Sequence, residues 1–167
     1  MRATAAMVMG LVLTQACAQE RPMQRLVCEL EIAQTLAVSD QAELTFALTN
    51  SSRQPVQVLI WQTPFEGVRN PMLTIKRGAA EVEYRGMMVK RGPPRADSYL
   101  ALRPGERREA RIDLATGWDV SAPGSYTIEY TSELLDVVIG NGPAPRSSGE
   151  MESVALSCPA VTFKRGR

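Results

Sequence analysis

Of the ionisable side chains that most often do chemistry, this sequence has three cysteines, 18 acidic and 19 basic residues, and no histidine. The absence of histidine removes the commonest general base and the commonest zinc ligand. Paired carboxylates could cleave glycosidic bonds, but Glu29 with Glu31 and Glu81 with Glu83 simply alternate along predicted strands. Calcium-loop spacing is absent as well. We therefore expect no enzyme activity, no metal site and no cofactor.

The N-terminus, MRATAAMVMGLVLTQACAQE, has the pattern of an export signal. A basic residue precedes an apolar run over 5–13 that is too short to span a bilayer, and Ala-Cys-Ala favours cleavage before Gln19. We predict a signal peptide over 1–18 and a periplasmic or secreted protein. The alternative is a lipoprotein signal that ends before Cys17, with the protein anchored through that acylated cysteine. Thr14 then stands where such signals usually carry leucine.

Cys28 and Cys158 remain after either kind of processing. In an oxidising compartment these two cysteines should form a disulfide. The bridge would close nearly the whole domain and contribute about 4–5 kcal/mol in the chain-entropy model. A catalytic thiol is the alternative, but it would lack a histidine partner.

Length and charge limit the class of protein. The chain has 167 residues, enough for one domain with a real core, and a net charge of +1. This balance gives no electrostatic footprint for nucleic acid or for an acidic membrane. We expect a protein partner, no nucleic acid, and a membrane contact only if Cys17 is lipidated.

Short extended runs separated by Gly, Pro, Asn and Ser make up the rest of the chain. Their apolar residues alternate, as in half-buried strands. The candidate strands are RLVCELEI, AELTFALTN, VQVLIW, MLTIKRGAAEVEYRG as a hairpin, MMVKRG, RREARIDL, GSYTIEYTS and ESVALSCPAVTFK. We predict an all-β fold over 19–167, an immunoglobulin-like antiparallel sandwich of seven to nine strands.

Three further features refine this prediction. Tyr126 follows a Pro-Gly turn and is a candidate for the corner at which a tyrosine hydroxyl folds back onto the backbone; it could equally be an ordinary inward aromatic. The segment 133–151 begins apolar and becomes rich in Gly, Pro and Ser, so we predict a flexible loop there. Arg107, Glu109 and Arg111 should form a polar outer sheet face.

Three strings occur in order: LTNSSRQPVQVLIWQTPFEG, EYRGMMVKRGPPRADSYLALRPGE and IDLATGWDVSAPGSYTIEY. They resemble the N-terminal β-domain of secreted aspzincin zinc proteases, the deuterolysin and peptidyl-Lys metalloendopeptidase group, over about half of the chain. In that group the domain precedes the catalytic domain as a propeptide. The family's His-Glu-x-x-His helix cannot be placed here, because histidine is absent. The resemblance implies a relative of the pro-domain without the catalytic domain, acting as an inhibitor or folding helper of a metalloprotease.

The strongest match to this family lies in the segment that ends the third candidate strand. We predict a structural role for Trp61, filling the sandwich core. Phe65 and Glu66 either shape the end of the strand or contact a partner from a loop.

A basic segment, VKRGPPRADSY, provides the other candidate contacts: Lys90, Arg91, Arg95 and Tyr99. A solvated loop is the alternative interpretation of its charges, and Tyr99 should anchor it by packing. The leading functional hypothesis is thus an exported non-catalytic binding protein. The alternative is a cell-envelope or adhesion-type β-sandwich module with an unrelated protein partner.

Overall fold

The computed structural model describes residues 26–166, so the predicted signal peptide and Cys17 lie outside the described residues. The described part is built of strands, with three short 3₁₀ helices at Pro64–Glu66, Ala96–Ser98 and Leu114–Thr116. The strands are β1 Leu26–Glu31, β2 Thr35–Leu36, β3 Glu43–Asn50, β4 Val56–Leu59, β5 Leu73–Arg77, β6 Ala80–Glu81, β7 Tyr99–Leu102, β8 Arg107–Asp113, β9 Gly124–Tyr130, β10 Glu133–Leu134, β11 Val137–Ile139, β12 Val154–Ala155 and β13 Val161–Arg165. Within these residues no helix has the length and hydrophobicity that a membrane crossing needs.

The strands form an all-β, immunoglobulin-like sandwich, as predicted. One sheet has the order β1-β3-β8, a second has the order β11-β4-β7, and the largest has the order β2-β13-β9-β5-β6. Strands β10 and β12 form a separate short pair. All of these pairings are antiparallel except that of β2 with β13. Eight of the strands have four or more residues, which agrees with the seven to nine predicted.

The core lies between β3 and the facing β9. Leu44, Phe46 and Leu48 alternate along β3 and are completely buried. Phe46 contacts Tyr130 of β9, with 5.4 Å between the ring centroids, so the two sheets face each other here. Burying each such side chain contributes about 1.5–3 kcal/mol. Alternation in the sequence therefore predicted the inward face correctly.

The opposite face of the β1-β3-β8 sheet carries the charged network that the sequence predicted. Arg107 pairs with Glu29 at 3.2 Å and also with Glu109. Ala47 of β3 alternates with the inward Phe46 and Leu48 and so belongs to this outer face, yet it is only 1% exposed. Its register partners are Glu29 and Glu109, and the aliphatic stems of long charged side chains commonly cover a small residue between them.

One covalent bond and one hydrogen bond further stabilise the sandwich. Cys28 of β1 is bonded to Cys158, with 4.9 Å between the Cα atoms, which confirms the predicted disulfide. The Tyr126 hydroxyl donates to the carbonyl oxygen of Ala122 at 2.7 Å, and the ring is buried. This is the corner interaction that the Pro-Gly turn indicated.

Two segments differ from the sequence-based expectation. Residues 87–92, expected as a short strand, pair with no strand and cross the surface as a loop. The connection 133–151, expected as an irregular excursion, contains β10 and β11, and β11 adds to the sheet beside β4. Leucines and valines within this segment supplied enough apolar surface to join the core, and the Gly- and Pro-rich part begins only afterwards.

Candidate interaction surface

The chain leaves β4 through a tightly held loop, residues 60–70, which we call the Trp61 loop. Gln62 has a φ of 60°, a left-handed conformation that is uncommon for a residue other than glycine. The Tyr130 hydroxyl donates to its carbonyl oxygen at 3.0 Å. Thr63 caps the following 3₁₀ helix, because its Oγ1 accepts from Phe65 N at 3.3 Å. The loop is therefore fixed by its own hydrogen bonds and by the core.

Glu66 is the central polar group of the Trp61 loop. Its side chain is only 5% exposed. One carboxylate oxygen accepts from Gln62 N at 2.9 Å and from Asn70 Nδ2 at 3.1 Å, and the other pairs with Arg91. The geometry thus gives Glu66 an internal role, stabilising the loop and holding Arg91 over it.

The two aromatic residues of the Trp61 loop, Phe65 and Trp61, lie in different surroundings. Phe65 points inward and meets Phe46 edge-on, with 5.5 Å between ring centroids. Trp61 does not fill the core as we expected: it is half-buried, and the Arg91 guanidinium lies 5.3 Å from its ring centroid. The reason is that β4 ends at Leu59, so Trp61 is already in the loop. The buried tryptophan is Trp118, at 2% exposure.

A second loop, residues 85–95, lies across the first, and we call it the methionine loop. Val89 N donates to the carbonyl oxygen of Arg69 at 3.2 Å, and Tyr84 donates to that of Met87 at 2.6 Å. Met87 and Met88 are 60% and 75% exposed. Sequence reasoning missed both methionines, although two adjacent apolar residues next to a basic Pro-rich segment were a usable signal.

Between the two loops lies a recess of 310 Å³. It is lined by three apolar residues, Met88, Val89 and Pro71, and by three neutral polar residues, Gln62, Asn70 and Ser132. Such a mixed recess can accept an apolar side chain while hydrogen-bonding the backbone that carries it.

The predicted basic contacts differ in their surroundings. Lys90 is exposed and, within residues 26–166, has no acidic side chain at ion-pairing distance. Arg91 is engaged by Glu66, and Arg95 is exposed and 3.9 Å from Asp97. The structure therefore brings Glu66 and Arg91 together, leaves Lys90 without an ion pair within residues 26–166, and sets Arg95 beyond the buried Pro94.

Tyr99 belongs to a different, internal cluster. Its hydroxyl donates to Asp136 Oδ2 at 2.7 Å, and Asp136 also accepts from Arg146 Nη1 at 3.3 Å and from Glu152 N at 3.2 Å. Asp136 is completely buried. Burial, followed by the hydrogen bond to Asp136, raises the pKa of Tyr99 above its usual value. Tyr99 anchors the segment after β11 through its hydroxyl.

A larger recess of 490 Å³ lies beside the 3₁₀ helix Leu114–Thr116, and Arg85 of the methionine loop is among the residues that line it. Asp40, Asp113 and Asp119 line it, and each accepts hydrogen bonds from its own turn. The buried Arg165 donates there to three backbone carbonyl oxygens. Among residues 26–166 no group of three His, Cys, Asp or Glu side chains is placed to hold a metal ion.

Comparison with known proteins relates this chain to secreted proteases. It is 30% identical over 132 residues to an extracellular protease of Aeromonas hydrophila, covering 76% of this chain and 37% of that protein. Two neutral protease 2 homologues of Uncinocarpus reesii are 27% and 29% identical over 99 and 97 residues, or 58% and 57% of this chain. The chain spans only 28% and 27% of those two relatives. No family model matches.

Among solved structures, the CARDB domain of a Pyrococcus furiosus protein, crystallised with di-metal ions, is similar with a TM-score of 0.37 and 13% identity. That match covers 84% of this chain and 87% of that domain. A solution structure of the same domain gives a TM-score of 0.36. A likeness at this level carries nothing about function. The disulfide and the similarity to secreted proteases together indicate an extracellular location.

Proposed function

We propose that this chain is a non-catalytic domain that binds the catalytic part of a secreted zinc metalloprotease of the aspzincin type, restraining the enzyme or assisting its folding. The observation that carries the proposal is the uneven coverage of the match. The similarity to the Aeromonas hydrophila protease extends over 76% of this chain but over only 37% of that protein. Most of the relative, with room for a catalytic domain, therefore lies outside the matched part.

The residue types support a non-catalytic role. A His-Glu-x-x-His helix needs two histidines to hold zinc, and the sequence contains none. The geometry supports binding, because the Trp61 loop and the methionine loop form a held, partly apolar surface on a disulfide-linked sandwich.

The test uses the chain from Gln19 onward, oxidised, and the part of the Aeromonas hydrophila protease outside the matched region. Each would be purified separately. Two readouts are needed: the rate at which the folded protease cleaves a peptide substrate, and the activity recovered when unfolded protease is diluted from urea. We expect co-elution on size exclusion, together with either a slower cleavage rate or a higher recovery.

The matched control is the same chain reduced and alkylated, which should lose the effect. Separate elution combined with unchanged cleavage and unchanged recovery would contradict the proposal. Signal-peptide cleavage is tested separately. Mass spectrometry of the mature protein, taken from the periplasm or medium, should find Gln19 as the first residue. An acylated Cys17 would instead indicate an anchored lipoprotein.

A further inference from the structure

We infer that the surface formed by Met88, the recess beside it, Lys90 and Arg69 binds a protein segment that carries an apolar side chain next to a carboxylate. We call this surface the methionine face. The identity of the partner rests on the proposed function, whereas the chemistry of recognition is argued from the face alone.

The apolar part of the face is unusual for this molecule. Among residues 26–166, large apolar side chains with high exposure are Val27, Val38, Met87 and Met88, and only the two methionines are adjacent. Methionine is flexible and polarizable, so it adapts to the side chain that packs against it. The recess that Met88 shares with Val89 and Pro71 gives an incoming apolar side chain a place to be buried.

The backbone around the face is already fixed. Val89 N bonds to the Arg69 carbonyl oxygen, the Met87 carbonyl oxygen accepts from Tyr84, and Arg91 pairs with the buried Glu66. A partner would therefore have to order little more than the methionine side chains. Binding loses less free energy to ordering when the surface is held in advance.

The charged residues around the recess indicate which charge a partner should carry. Lys90 and Arg69 are exposed, and within the described part of the chain neither is paired with a carboxylate; Arg69 Nε donates to the carbonyl oxygen of Glu66. The Glu66 carboxylate is buried and paired with Arg91, whereas Glu133, the residue after Ser132, is exposed. An excess of cations favours an acidic partner. A second copy of this face would bring the same cations and be repelled.

The test is a selection from a display library of short random peptides on the oxidised chain. We expect enriched peptides with Leu, Met or Phe next to Asp or Glu. The affinity of such a peptide should fall about tenfold for Met88→Ala, as at an interface centre, and about tenfold for Lys90→Glu, through charge reversal. Thermal unfolding of each variant shows that it is folded.

Two control variants make the same kinds of substitution at sites outside the methionine face. Val38→Ala removes an exposed apolar side chain elsewhere, and Arg53→Glu reverses an exposed charge in the turn at the opposite end of β4. Both should leave peptide affinity unchanged.

The inference would be overturned by no enrichment, by enrichment of basic peptides, or by an affinity that neither Met88→Ala nor Lys90→Glu changes. Binding of the chain to vesicles of phosphatidylcholine and phosphatidylserine, lost in the same variants, would assign the face to a membrane instead. If the protease binds but these variants do not weaken it, only the methionine face is wrong. If the peptides bind as expected and the protease does not, only the proposed function is wrong.

Discussion

Two buried carboxylates, Glu66 and Asp136, each hold a loop against the sandwich. Glu66 bonds the Trp61 loop and pairs with Arg91, while Asp136 accepts from Tyr99 and Arg146. A buried acid is stable only when hydrogen bonds and an opposite charge replace its water. A motif search would name both acids as candidate catalytic groups. Their positions in the fold instead give each of them the role of stabilising a loop.

The first prediction concerns Asp136. Asp136→Ala should lower the free energy of unfolding by about 3 kcal/mol, because it leaves the partly buried Arg146 and the Tyr99 hydroxyl without their acceptor. Asp136→Asn should cost less, since the amide keeps the shape and one acceptor oxygen. Urea unfolding measures both. A loss below about 1 kcal/mol for the alanine variant would show that the cluster adds little to stability.

The second prediction concerns pH. Burial raises the pKa of the Tyr130 hydroxyl above its ordinary value of 10.0. The folded state keeps this proton when the unfolded state has lost it, so the stabilisation is complete below pH 10 and declines as pH rises above it. Tyr130→Phe should cost about 1 kcal/mol at neutral pH through the lost bond to Gln62. It should also make the free energy of unfolding, measured with urea, fall less steeply between about pH 9 and 11, the range around the ordinary tyrosine pKa. An unchanged slope would contradict this.

At the scale of elements, the Trp61 loop and the methionine loop form one unit. The first supplies the half-buried Phe65 and the buried Glu66 side chain, and the second supplies the exposed side chains of Met87, Met88 and Lys90. Substitutions in the Trp61 loop should therefore mainly change stability, and substitutions of the exposed residues in the methionine loop should mainly change binding.

The third prediction tests that separation. Phe65→Ala should lower the free energy of unfolding by about 2 kcal/mol, less than for a fully buried phenylalanine, because the ring packs edge-on against Phe46 but is only half-buried. Met88→Ala, its counterpart on the exposed side, should change stability by less than about 0.5 kcal/mol. Chemical denaturation of both variants gives the comparison; equal losses would mean that Met88 also serves the core.

Sequence reasoning predicted the elements better than the surface. Alternation in β3 and β9 placed Phe46 and Tyr126 inward, because one face of each strand is buried whatever its neighbours are. The burial of Glu66 could not be predicted, since it depends on Arg91 crossing above it from a loop 25 residues later. The place of Trp61 depends on where β4 ends, and strand ends are not fixed by alternation alone.

At the scale of the whole molecule, the disulfide joins the first described strand to the segment before the last one, across 130 residues. Closing a loop of this length restricts the unfolded chain much more than the folded one. The small sandwich thus has a covalent support suited to an oxidising environment.

The fourth prediction concerns this bond. Replacing both cysteines, Cys28→Ser with Cys158→Ser, should lower the free energy of unfolding by about 4–5 kcal/mol in the chain-entropy model. Reduction of the native protein should have a similar effect, and a reductant should not affect the double variant. Urea unfolding with and without dithiothreitol measures this. Equal stability of oxidised and reduced protein would contradict a stabilising role.

Our central proposal is that this sandwich binds the catalytic part of a secreted protease. Isothermal titration of the oxidised chain into the catalytic part of the Aeromonas hydrophila protease tests it most directly. We predict a saturable one-to-one isotherm that weakens about tenfold with Lys90→Glu and not with Arg53→Glu. The absence of any binding heat, with no complex on size exclusion at the same concentrations, would contradict the account.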